Sequence, residues 1–119
     1  MLEHFIRRCH EHEAAGRITF AYRHQVDRIE MANGAATGVS GSILADDPAV
    51  QGAQTTREVT GDFRIDAGAV IVASGGIGGN FEMIRKVWPK DRLGAAPKKM
   101  LSGVPAHVDG RMIGISEQA

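Results

Sequence analysis

Apolar positions recur with three different periods along this chain. Leu2, Phe5, Ile6 and Cys9 fall at i, i+3, i+4 and i+7, which predicts an amphipathic helix over residues 1–16 with Gly16 as its stop. Arg17 to Tyr22 alternates, with Ile18, Phe20 and Tyr22 on one side, as a strand does. Val26, Ile29 and Met31 predict a further strand that ends at Asn33-Gly34, a dipeptide suited to a tight hairpin because both residues tolerate positive φ. Thr37 to Leu44 is the expected return strand, with Val39 and Ile43 among its inward residues, and Asp46-Asp47-Pro48 breaks it. A polar loop follows to about Thr56. Glu58 to Asp66 reads as a third strand, where the spacing of Val59, Phe63 and Ile65 calls for a kink at Gly61-Asp62.

The pattern then changes to a continuous apolar run, Ala69 to Ala73, that ends in Gly75, Gly76, Gly78 and Gly79. Such a run predicts a strand buried on both faces, as in parallel sheets. In open α/β sheets ligands bind at the carboxyl ends of strands, and glycines there let a ligand approach the backbone closely. A strand-to-helix turn with no ligand is the competing reading. Asn80 can cap a short helix whose apolar face is Phe81, Ile84, Val87 and Trp88, stopped by Pro89. Residues 89–105 read as a loop. Asp109-Gly110 can open a last helix, Arg111 to Glu117.

Composition narrows the classes. The 119 residues allow at most one domain, divided by the pattern into a helix (1–16), a strand and meander (17–66), and a strand, glycine turn and helices (67–119). Lysine plus arginine equals aspartate plus glutamate, so no basic footprint suggests nucleic acid. The longest apolar run is far short of the about 20 residues needed to span a bilayer, and the charged N-terminus has no signal-peptide core. The lone Cys9 excludes an internal disulfide and fits a reducing compartment, so a cytoplasmic protein is expected.

Other chemistry is thinner. Cys9, His12 and Glu13 share a helix face, but Cys9 also continues the apolar stripe, and a packed cysteine is the better reading; no metal site is expected. Cys9, His107 and Asp109 carry no nucleophile signature, so no catalytic residue is assigned. His107 has a case as a ligand-facing residue beside Asp109-Gly110, set against a solvated loop histidine. Lys90, Lys98 and Lys99 read as solvated.

The succession ITFAYRHQVDRI, NG, TGVSGSIL and FRIDAGAVIVASGGIGGNFEMIRK resembles the succinate dehydrogenase/fumarate reductase flavoprotein family, and within it the FAD-binding dehydrogenases that include 3-ketosteroid dehydrogenases. The family's Ala-Thr-Gly-Gly strand end stands here as Ala73-Ser74-Gly75-Gly76, and its Gly-Asp-Gly as Val108-Asp109-Gly110, without the first glycine. The resemblance implies an α/β fold: a fragment of a Rossmann-like FAD-binding domain with an inserted three-stranded antiparallel β-meander. It implies FAD as cofactor. Gln25 and Val26 would present backbone to the adenine, and Ala73, Ser74, Gly75 and Gly76 would lie near the sugar and pyrophosphate. Asp109 and Gly110 would lie toward the flavin. The parent would move a hydride between the flavin and a substrate C–C bond, in a steroid-like ketone or a dicarboxylate.

The resemblance also exposes gaps. The family's primary phosphate turn, Gly-x-Gly-x-x-Gly, is absent, because Gly75, Gly76, Gly78 and Gly79 have a different spacing. An internal piece of a larger flavoenzyme is therefore expected, inactive alone and without measurable FAD binding alone. In the family the strands at 18–22 and 69–73 share one parallel sheet, separated by strands not found in this sequence. The piece must leave edges open, pair those strands directly, or self-associate. A non-catalytic interaction module derived from such a domain is the alternative.

Overall fold

The computed structural model describes residues 2–50 and 53–119. Met1, and Gln51 and Gly52 of the expected polar loop, lie outside the described residues. The elements run α1 (Leu2–Ala14), β1 (His24–Ala32), β2 (Ala35–Leu44), β3 (Val59–Asp66), α2 (Phe81–Val87), α3 (Lys90–Leu93) and α4 (Arg111–Glu117). Helices accompany one antiparallel sheet of order β1-β2-β3, so the meander read from the alternating pattern is present.

Local chemistry sets most boundaries. In α1, the amide of Gly16 donates to the Glu13 carbonyl and that of Arg17 to the His12 carbonyl, at 2.9 Å each. With Gly16 at φ 69° these form a Schellman stop. Asn33 (φ 52°) and Gly34 (φ 76°) both adopt the left-handed region that a two-residue hairpin turn requires.

Register irregularities shape the sheet. Val26 opposes Gly41 and Arg28 opposes Ser40, so Asp27 is an extra residue bulged from β1. On the other side of β2, Ile43 opposes Gly61 while Leu44 opposes Val59. The irregularity of β3 therefore falls at Thr60, not at Gly61-Asp62 as the apolar spacing suggested. Gly61 and Asp62 stay in the ladder, and the residue before them is squeezed out.

Two expected strands are not formed. Arg17–Tyr22 and Ala69–Ala73 make no ladder, either with each other or with the sheet. The run expected to be buried on both faces is open, with Ile71 92% exposed. The physical reason is the absence of neighbours: a parallel strand is held only by strands on its flanks, and none of the described residues supplies one. The region 89–105, expected as loop, contains the single-turn helix α3, closed by the Gly94 amide on the Lys90 carbonyl at 3.0 Å.

The core is correspondingly thin. Ile29 and Leu44 are its buried apolar side chains, both on the meander. Most of the apolar stripe of α1 is uncovered: Leu2, Phe5 and Ile6 are exposed, and Cys9 is half-buried. No helix among the described residues is long and apolar enough to cross a membrane.

Candidate functional site

A cleft of about 680 Å³ lies between the start of β1, the 69–74 segment and the start of α4. Its volume falls in the about 300–1,000 Å³ range usual for small-molecule sites. Three stretches of chain, far apart in sequence, meet there for local reasons.

The β1 wall is held from behind. Arg23 takes a left-handed backbone (φ 59°) just before the strand. Its guanidinium donates to the Ala45 carbonyl (2.8 Å), Thr55 Oγ1 (3.1 Å) and the Thr56 carbonyl (2.6 Å). These bonds fasten the loop after β2 against the strand entry and hold the unfavourable φ in place. Asp47 serves the same loop by accepting from the amides of Ala49 (2.8 Å) and Thr56 (2.5 Å). Those two amides hold its carboxyl below the ordinary range.

The second wall, residues 68–76, makes no backbone hydrogen bond among the described residues. Its amides and carbonyls are left to solvent or to a ligand. The glycine turn after it is anchored at its far end. The Gly79 amide donates to the Val108 carbonyl at 2.7 Å. Asn80 caps α2 by accepting from the Met83 amide (3.0 Å), while its Nδ2 donates to the Asp109 carbonyl (3.2 Å).

The third wall is the Asp109-Gly110 turn. Gly110 has φ 79°, and a Cβ there would meet Ile77 Cγ2 at 2.6 Å and Met83 Sδ at 2.9 Å. The position thus needs glycine both for its backbone and for the close approach of the glycine turn and α2. Asp109 Oδ1 accepts from the Arg111 amide at 3.0 Å and starts α4.

Of the residues singled out from sequence, Gln25, Val26, Ala73, Ser74, Asp109 and Gly110 line this one cleft, with His107 beside them. Gly75 instead lines a second hollow behind the segment, with Ser74 and α4 residues, and Gly76 lines neither. The side chains of Cys9, His12 and Glu13 form no three-ligand cluster with any neighbour among the described residues.

Sequence reading missed two residues that organise the cleft. Arg111 Nη2 donates to the Val26 carbonyl (2.5 Å) and to Asp27 Oδ1 (2.6 Å). The bulged Asp27 also accepts from Ser42 Oγ (2.8 Å) and Gln25 Nε2 (3.1 Å), and Arg57 donates to Gln25 Oε1. Burial pushes the Asp27 carboxyl up, but the hydrogen bonds from Ser42 and Gln25, together with Arg111, outweigh it and hold it below the ordinary value. Arg23, Arg57 and Arg111 line the cleft with Asp109, but Arg111 is paired with Asp27 and Arg23 is engaged by the loop that Asp47 holds, so Arg57 is the cleft arginine without a carboxylate partner among the described residues. An arginine directly after Asp-Gly was the available signal, but its partner stands 84 positions away.

A family model described as FAD binding domain matches residues 1–119. The chain is 53% identical over 119 residues to a KsdD-like steroid dehydrogenase of Mycolicibacterium smegmatis, covering all of this chain and 21% of the relative. It is 55% identical over 102 residues to a KsdD-like steroid dehydrogenase of Mycobacterium tuberculosis, covering 86% of this chain and 18% of the relative. The chain thus spans about a fifth of the length of these curated relatives. No solved structure matches it.

Proposed function

The chain belongs to the FAD binding domain family, and on that premise we propose that it supplies part of the FAD site of a dehydrogenase acting on a steroid-like ketone. One observation carries the reading: three separate walls converge on a single cleft whose central segment has unpartnered backbone. Free amides beside glycines are the donors a diphosphate requires. Nothing lies within 4 Å of a Cβ position at Gly76, so a ligand can come close to that backbone.

Gln25 and Val26 would offer backbone to the adenine. Ala73, Ser74, Gly75 and Gly76 would lie along the sugar and pyrophosphate, with Arg57 as the nearby cation. Asp109 and Gly110 would border the flavin. In the whole protein the segments at 18–22 and 69–73 would become strands of one parallel, Rossmann-like sheet. When bound, FAD supplies the hydride chemistry; this chain's residues bind and orient it. The steroid-like substrate is suggested by the names of the relatives.

The test uses the product of the native gene, with all sequence that flanks this segment. It is expected to purify with FAD and to pass electrons from a 3-ketosteroid to a dye. Ala73→Phe, at a residue that lines the cleft, should lower flavin content several-fold, with circular dichroism confirming that the protein is folded. A flavin-free protein would sink the proposal.

A further inference from the structure

We propose that Arg111 is a positioning residue that, through the bulged Asp27, sets the separation of the cleft's walls. For its functional meaning this rests on the FAD reading above. Three observations converge on it.

First, the bonds of Arg111 join elements that no other side-chain bond among the described residues ties. The Arg7–Glu11 pair lies within α1, and Arg64 with Glu30 and Asp66 lies within the sheet. Arg111–Asp27 links α4 to β1, the principal helix-on-sheet packing among the described residues. One nitrogen, Nη2, serves a backbone carbonyl and a carboxylate together, so a single side chain ties α4 to both the backbone and the bulged side chain of β1.

Second, the sheet is shaped to offer Asp27. The bulge lifts it from the ladder, and bulges re-aim side chains in this way. Gly41 faces the bulge, and a Cβ there would run into the Gln25 carbonyl and come within 2.8 Å of the Asp27 amide. Ser42 and Gln25 then fix the carboxylate's orientation from the β2 and β1 sides.

Third, the other end of Arg111 is wired to the remaining walls. Its own amide is bonded to Asp109 Oδ1, and the Asp109 carbonyl receives Asn80 from the end of the glycine turn. A displacement of α4 away from β1 would therefore carry the 109–110 turn and the glycine turn with it. Residues 109–111 act as the hub through which adenine-side and flavin-side walls keep their spacing.

The experiment measures the separation of α4 from the sheet, which carries the cleft's walls, in the full chain and without FAD. Spin labels are placed at Asp62→Cys and Gln118→Cys in a Cys9→Ser background, and distances are read by pulsed electron resonance. One narrow distance population is expected. Arg111→Gln should broaden it and move it to longer separation, and Arg111→Lys should restore part of the narrow population. Asp27→Asn added to Arg111→Gln should change nothing more. A control pair within the sheet, Ala32→Cys with Asp62→Cys, should keep its distance throughout. The proposal is overturned by an unchanged distribution in Arg111→Gln, by a broad one in the unsubstituted chain, or by a control pair that moves as much as the cleft pair. Failure here would leave the FAD reading standing, and a flavin-free native protein would leave the measured clasp standing.

Discussion

Asp27 shows how much one residue's placement depends on its neighbours. In a regular ladder its side chain would alternate with those of Val26 and Arg28; the bulge opposite Gly41 instead turns it toward Arg111. The carboxylate is held in its charged form, with its pKa depressed below the ordinary value by Ser42, Gln25 and Arg111 against the opposing effect of burial. The sign follows from linkage. A depressed carboxyl contributes stability that is fully present above its unfolded value, about 3.9, and is lost as pH falls through the folded value. Asp47, depressed by its two amide donors, acts in the same direction. Urea midpoints should therefore fall as the pH drops below about 4. Asp27→Asn should flatten part of that acid limb, and Asp27→Asn with Asp47→Asn should flatten more of it. Midpoints with the same acid limb in all three proteins would dismiss this assignment. None of this was legible in the sequence, where Asp27 is one acid in a strand and Arg111 one base in a helix.

At the scale of elements, Asn80 shows why some features were legible and others were not. Its capping role depends on α2 alone, so an asparagine before an apolar-periodic run was enough to place it. Its second bond, to the Asp109 carbonyl, spans 29 positions and had no local signature. The two roles can be separated. Asn80→Ala should remove both, costing about 1 kcal/mol for the lost cap, and should speed amide exchange at Met83 and at Ile113. Asn80→Asp keeps an acceptor for Met83 and loses the donor to Asp109, so only the exchange at Ile113 should rise. Equal acceleration at Met83 in both variants would refute the division of labour. The same logic sorts the strands. The meander was legible because alternation, the Asn33-Gly34 turn and antiparallel pairing are all short-range. The segments at 17–22 and 69–73 carry strand-like patterns too, but a parallel strand needs partners, and pattern alone does not supply them.

The whole molecule carries the consequence of those unpartnered segments. Its accessible surface is 9420 Å², whereas a compact monomer of this mass exposes about 6,200 Å². Its radius of gyration is 17.4 Å, against about 13.5 Å for a compact chain of this length. Exposed apolar side chains contribute to the excess, among them Phe5 and Ile6 of α1, Ile71 of the 69–73 segment and Leu101. An unfolded chain of this mass exposes about 18,000 Å², so folding here buries roughly three quarters of what a compact domain would bury. Because the urea m-value scales with newly exposed surface, the isolated chain should unfold with an m-value about three quarters of that of a compact domain of equal length. Covering the open faces should raise it. If a second copy does so, the m-value should climb toward the compact figure as protein concentration increases, and sedimentation should show the dimer over the same range. If the flanking sequence of the native gene product does so, the m-value of the isolated chain should stay low at every concentration. A compact-domain m-value from dilute, monomeric chain would contradict the open arrangement itself, because no surface would then remain for either cover to bury.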